Sequence, residues 1–188
     1  MARSVDWRRR DELLEAAVDY VVSSGLSDLS MRAIARATGV DASLLTHHFG
    51  GKQQLLSLVM NRVRGRLRTI ATAGGESARP VTPETMLRRV WGWATHPAHY
   101  ALYILFFEVY GAALRKPQDY SWFLDSVIAD WVEPVAAAYR FTNVPDELAE
   151  ARATLAIAIV RGLLLDLLAT GDRGRVEAAL REAGAILH

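Results

Sequence analysis

Residues Ala37–Lys52, "ATGVDASLLTHHFGGK", decide how this chain is read. Gly39 offers a turn, Asp41 an acidic N-cap, and Gly50-Gly51 a stop after Phe49. The spacing predicts a helix of about two turns between them. A helix this short is marginal alone in water, so neighbouring elements must hold it. With Leu45 set inward and about 100° per residue, Asp41, His48 and Phe49 fall within about 60° of the core direction. Ser43 and His47 then point almost opposite, flanked by Leu44 and Thr46. The outward face is Ser43, Leu44, Thr46 and His47: two hydroxyls, an imidazole and one apolar side chain. Such a face either serves a partner or is plain solvated surface.

The preceding segment supplies a companion. Ser30 is a good N-cap, and Met31, Ile34 and Ala35 share one face of a second helix expected to run to about Ala37. Two helices joined by three or four residues that include glycine have helix-turn-helix spacing. In that motif the second helix enters the major groove, where hydroxyls and imidazole reach base edges and an aliphatic group meets a thymine methyl. Ser30 and Lys52 stand at helix N-termini, whose free N–H groups suit phosphates. Many αα-hairpins share this spacing without binding DNA.

The longer stretch "LSMRAIARATGVDASLLTHHFGGKQQLL", residues 29–56, resembles the N-terminal DNA-binding domain of TetR-type (tetracycline-repressor-like) transcription regulators. Ser30, Ile34-Ala35, Thr38-Gly39-Val40, Leu45-Thr46-His47-His48-Phe49, Lys52 and Leu55-Leu56 stand where that family carries its hydroxyl residue, "IA" pair, "AGV" turn, "LYxHF" run, lysine and "LL" pair. The chain departs from the pattern at Thr46, where the family usually has tyrosine, and at Ser43, where glycine is frequent. The resemblance implies phosphate contacts from Ser30, His48 and Lys52, and base reading by Ser43, Leu44, Thr46 and His47. Arg32, outward on the second helix, is a further candidate. Arg8-Arg9-Arg10 is a basic run that either lies along DNA or is solvated.

At 188 residues, with 51% apolar residues, the chain is long enough for a real core. It has no cysteine, which excludes disulfides and thiolate metal sites. The N-terminus has no apolar signal-peptide run. The most apolar stretch, residues 153–169, is interrupted by Arg161 and Asp166, which argues against a membrane span. Formal net charge is +1, but unevenly spread: residues 1–72 hold 11 Lys/Arg against 7 Asp/Glu, and residues 73–188 hold 11 against 14. A basic first third suits a polyanion partner.

Apolar spacing of i, i+3, i+4 recurs throughout, without sustained period-2 alternation, so an all-α fold is expected. Helices are predicted over Trp7–Ser23, from Lys52 to about Ala73, Pro83–Thr95, Pro97–Arg115, Asp119–Tyr139 with an interruption at Pro134, Pro145–Thr170 and Arg173–Leu187. "TAGGESARPVTP", residues 72–83, reads as a linker. The expected organisation is a three-helix helix-turn-helix domain (1–51), a connecting helix (52–73) and a larger helical ligand-binding and dimerisation domain (74–188).

In that last part, Tyr100, Tyr103, Phe107, Tyr110 and Leu114 repeat at helical spacing. Stripes with Trp91 before them and Val127 and Trp131 after them accompany the repeat. Rigid rings with a few polar tips line small-molecule sites, and they also fill cores. The resemblance implies a pocket, for which Trp91, Tyr103, Phe107, Tyr110, Val127, Trp131 and Arg161 are the candidates. "ATLAIAIVRGLLLDLLAT", residues 153–170, is apolar nearly all round and needs cover on every side. Ile159, Gly162, Leu163 and Leu167, with Val176 and Leu180 on the last helix, are the candidates for a two-fold interface.

No nucleophile elbow, phosphate-cradling glycine loop or metal-ligand spacing occurs, and His96 and His99 lack a third ligand. The expectation is a cytoplasmic, homodimeric, DNA-binding regulator. It would be a non-enzymatic repressor without cofactor or metal, released from a palindromic operator by a small, mostly apolar ligand. A helical interaction protein or small helical enzyme without a DNA role is the competing reading.

Overall fold

In the computed structural model, residues 2–71 and 81–186 are described, and every element among them is helical. Ten α-helices follow in order: α1 (Ala2–Ser24), α2 (Met31–Thr38), α3 (Ala42–Phe49), α4 (Lys52–Ala71), α5 (Pro83–Ala94), α6 (Tyr100–Arg115), α7 (Ser121–Val127), α8 (Ala129–Phe141), α9 (Asp146–Thr170) and α10 (Arg173–Ile186). The expected linker over 72–83 and the end of the last helix at Leu187 lie largely outside the described residues.

The chain forms two compact units: residues 1–66 with 101–123, and residues 67–100 with 124–188. In the first, α1 buries Leu13, Leu14, Ala17, Val18 and Val21, and α4 buries Leu55, Leu56, Val59 and Met60. The α2–α3 pair adds Ile34, Ala35, Leu45 and Phe49 to the buried set. Across the α1/α4 seam, Arg62 pairs with Asp11 and Glu15, and Arg66 with Glu15. These partly exposed pairs fix register more than they add stability. α6 belongs to this unit from Ala101 onward. Its buried face is Leu102, Tyr103, Leu105, Val109 and Ala113. Of the aromatic stripe expected, Tyr103 is buried, Tyr100, Phe107 and Tyr110 are half-buried, and Leu114 is exposed.

In the second unit, Ala136, Tyr139, Ala149 and Ala153 form a small-residue contact between α8 and α9, flanked by Val132, Val135 and Val144. Small side chains let two helices approach closely over this stretch. A second cluster joins Ala71, Met86 and Ala138, with Trp131 packed against it.

Several boundaries differ from expectation. Helix α1 starts at Ala2, five residues before Trp7. Pro97–His99 is a separate 3₁₀ turn before α6. The helix predicted over Asp119–Tyr139 is two helices parted at Ile128, and Pro134 sits inside α8 without breaking it. At the break, Trp131 and Val132 both donate their N–H to the Ile128 carbonyl, and the Arg161 guanidinium takes the carbonyl of Val127. A proline removes one ladder bond. Here the larger disruption comes where an arginine side chain substitutes for the helix's own donor. Asn143, at φ +64°, ends α8 in a left-handed conformation open to asparagine.

α9 is 25 residues long, and by length and composition it could cross a membrane: an 18-residue stretch has mean hydropathy 1.9, of which 22% is buried. Along one face it is exposed among the described residues. Leu148, Ala151, Leu155, Ala158, Gly162, Leu165 and Ala169 are all exposed, at alternating spacings of three and four. Of the residues expected at a two-fold interface, Gly162 is exposed, and Ile159, Leu163 and Leu180 are half-buried. Leu167 and Val176 are buried within the second unit.

Candidate nucleic-acid interface

The short α2 is closed at both ends. Ser30 Oγ accepts the Ala33 N–H at 3.1 Å, which satisfies one of the orphan donors of a helix start. At the other end Gly39 takes φ +70°, and the N–H of Val40 returns to the Ala35 carbonyl at 3.0 Å. That left-handed residue reverses the chain within three residues, and α3 begins at Ala42. Asp41 stands at the N-cap, but its side chain makes no capping bond; its carbonyl receives Leu44 and Leu45 instead.

α3 is held along its core face and at its C-terminal end. Leu45 and Phe49 are buried. From α1, Arg10 donates through Nε to the His48 carbonyl at 3.3 Å, and its guanidinium lies 5.3 Å from the Phe49 ring centroid and 5.6 Å from that of Trp7. An arginine at a helix C-terminus supplies donors to orphan carbonyls and suits the negative dipole end. Arg10 is thus part of the scaffold, whereas Arg8 and Arg9 remain exposed.

With the core face fixed, Ser43, Thr46 and His47 are exposed and Leu44 is half-exposed, as the helical spacing implied. Thr46 Oγ1 donates to the Ala42 carbonyl at 2.8 Å. Its proton is spent within the helix, so outward it offers acceptor lone pairs. The hydroxyl proton of Ser30 is not used by its cap, in which the oxygen accepts. His48 is half-buried, its ring set edge-on to His47 at 5.5 Å. Lys52 opens α4 and is exposed, and Arg32 is exposed on α2. Arg36, one turn after Arg32 and equally exposed, extends the same basic face. Sequence reasoning passed over it, although the i, i+4 spacing of two arginines was the available signal.

The aromatic residues expected at a ligand site divide between the two units. Tyr103, Phe107 and Tyr110 lie on α6 in the first, where Phe106 joins Tyr103, Phe107, Tyr110 and Phe123 through ring contacts of 5.3 to 6.4 Å. Trp91, Val127, Trp131 and Arg161 lie in the second unit. Trp91 is buried and its indole N–H meets no acceptor among the described residues. Arg161 is engaged with the Val127 carbonyl.

Comparison with known proteins follows this geometry. The family profile described as "Bacterial regulatory proteins, tetR family" matches residues 13–59. The chain is similar to the HTH-type transcriptional regulator BetI of Rhizobium meliloti, 37% identical over 70 residues, which are 37% of this chain and 34% of that protein. It is 25% identical to BetI of Cronobacter sakazakii over 91% of this chain and 85% of the relative. The chain thus matches about a third or less of the length of the first curated relatives. Among solved structures, a TetR-family transcriptional regulator from Cytophaga hutchinsonii superposes with a TM-score of 0.78 at 17% identity, covering 96% of this chain and 93% of the other. Residues 13–59 thus match the model of the tetR family of bacterial regulatory proteins, and the described residues share the fold of a solved TetR-family regulator.

Proposed function

We propose that this chain is a homodimeric transcription repressor that binds a palindromic operator and is released from it by a small, mostly apolar ligand. The observation that carries the reading is the pair α2–α3: Leu45 and Phe49 fixed inward, Ser43, Thr46 and His47 exposed, and a cation, Lys52, at the next helix start. The match of residues 13–59 to the tetR-family model supports it.

In this reading, Ser43, Leu44, Thr46 and His47 face base edges in the major groove. Ser30, Arg32, His48 and Lys52 meet phosphates on either side. Ser30 donates its hydroxyl proton to phosphate while its oxygen keeps the α2 cap. Thr46 serves as an acceptor or through its methyl group, because its proton is engaged. Chromosomal DNA as target implies a cytoplasmic protein.

The uncovered stripe of α9 supports a two-fold interface. A leucine and small-residue face at coiled-coil spacing pairs with a second copy of itself, and Gly162 within it permits close approach. A dimer built this way offers two reading helices to half-sites about one DNA turn, roughly 34–36 Å, apart. For the ligand, the ring cluster of Tyr103, Phe107 and Tyr110 about Phe106 offers flat contact area.

Selection of bound duplexes from a random-sequence pool tests the reading. An enriched inverted repeat with half-sites one turn apart is expected. A pool that stays random after repeated rounds would leave the competing reading, a helical protein with no DNA role.

A further inference from the structure

The turn between α1 and α2 is tied to α6 by a single carboxylate. Glu108, half-buried on α6, accepts the backbone N–H of Leu26 through Oε2 at 2.7 Å. The turn is shaped to receive it. Gly25 takes φ +71°, and a Cβ built there would stand 3.1 Å from Glu108 Oε2 and 3.3 Å from Oε1. Only three residues separate Leu26 from Ser30, the cap of α2, and α3 follows after a three-residue turn. A backbone N–H held by an ionised acceptor is among the stronger hydrogen bonds in a protein, and it weakens steeply when distance or angle changes.

On α6 the neighbours of Glu108 are the ring residues. Phe107 precedes it, Phe106 is two residues before it, and Tyr110 two after. Phe106 and Tyr110 both contact Phe123 of α7, at 5.8 and 5.6 Å. The carboxylate therefore rides on the part of α6 that carries the aromatic cluster. A helix moves as a stiff unit over one turn, so repacking of those rings displaces Glu108 as well.

We propose that Glu108 is a positioning residue for DNA reading: its bond to Leu26 holds the α1–α2 turn, and with it the attitude of α2–α3, to the ring-bearing segment of α6. The inference rests on the DNA-binding reading above. It adds the residue through which the state of the aromatic cluster reaches the reading helices. Gln at this position keeps an oxygen acceptor for the Leu26 N–H, whereas Ala leaves that donor without its partner.

The test uses the full chain as wild type, Glu108→Gln and Glu108→Ala. Amide hydrogen exchange is followed at Leu26, across α2–α3 and, as a control, across α9. Affinity for the selected inverted-repeat duplex is measured alongside. The expected result for Glu108→Ala is a loss of protection of about tenfold at Leu26, a smaller loss across α2–α3, unchanged protection in α9, and several-fold weaker duplex binding. Glu108→Gln restores all of these. Unchanged exchange in α2–α3, no rescue by Gln, or loss of protection spreading to α9 would each overturn the proposal. The exchange arm needs no DNA, so a chain that binds no duplex would sink the regulator reading while leaving the positioning result to be read by itself.

Discussion

Arg10 of α1 closes the C-terminal end of α3 by donating to the His48 carbonyl at 3.3 Å while its guanidinium packs on Phe49. Of three adjacent arginines, this one is scaffold and the other two are exposed. Arg10→Ala is expected to destabilise the first unit by about 1 kcal/mol, a charge-assisted bond discounted for partial exposure. Arg9→Ala is expected to leave thermal stability unchanged. Thermal unfolding of the two variants side by side separates the roles; equal melting temperatures would mean that Arg10 is no strut.

Phosphate and base contacts are separable by their salt and sequence dependence. Lys52→Ala is expected to weaken binding to every duplex by a similar factor and to reduce the slope of log K against log salt by about 1. His47→Ala is expected instead to change the preference among operator variants, by about 1–3 kcal/mol at one base pair. A His47 variant that ranks all operator variants as wild type does would remove that residue from the reading face.

What was legible in the sequence was mostly what periodicity and capping carry. Leu45 and Phe49 inward with Ser43 and His47 outward followed from angular spacing alone, and Ser30 and Gly39 followed from cap chemistry. Long-range polar partners were not legible. Nothing local marks Arg10 as the residue that meets the His48 carbonyl, Glu108 as the acceptor for Leu26, or Arg161 as the donor that parts α7 from α8. Each joins positions at least 34 residues apart. Pro134 misled for the opposite reason: its local cost is real, but packing of α8 against α9 outweighs one missing ladder bond.

The α9 stripe predicts assembly. Leu155→Asp or Leu165→Asp would place an unpaired charge on the exposed apolar face, and a monomeric, folded chain is expected in sedimentation at micromolar concentration. Leu167→Asp puts the same charge into the second unit's core, where 3% of the side chain is exposed, and insoluble or unfolded chain is expected. A wild-type chain that sediments as a monomer would refute the dimer.

At the junction of α9 and α10, Arg175 donates to both carboxylate oxygens of Asp166 through Nη1 and Nη2, at 2.8 and 2.7 Å. Hydrogen bonding from Arg175 holds the Asp166 carboxyl below its ordinary value. A carboxyl depressed in the folded state contributes stability that is fully present above its unfolded value, about 3.9, and is lost as pH falls through the folded one. Asp166→Asn is therefore expected to lower the melting temperature slightly at neutral pH, with the difference from wild type narrowing below about pH 4. A difference independent of pH would show that the ionised pair contributes nothing.

A two-fold dimer whose α3 helices read DNA sequence has a distinctive binding signature. Fluorescence anisotropy of the selected inverted repeat, against the same duplex with one half-site scrambled, tests it most directly across a salt series. The account predicts two chains per intact duplex and affinity falling steeply with salt. It also predicts a preference for the intact repeat of at least about a thousandfold over non-specific DNA, largely lost on scrambling. Equal affinity for intact and scrambled duplexes would contradict it.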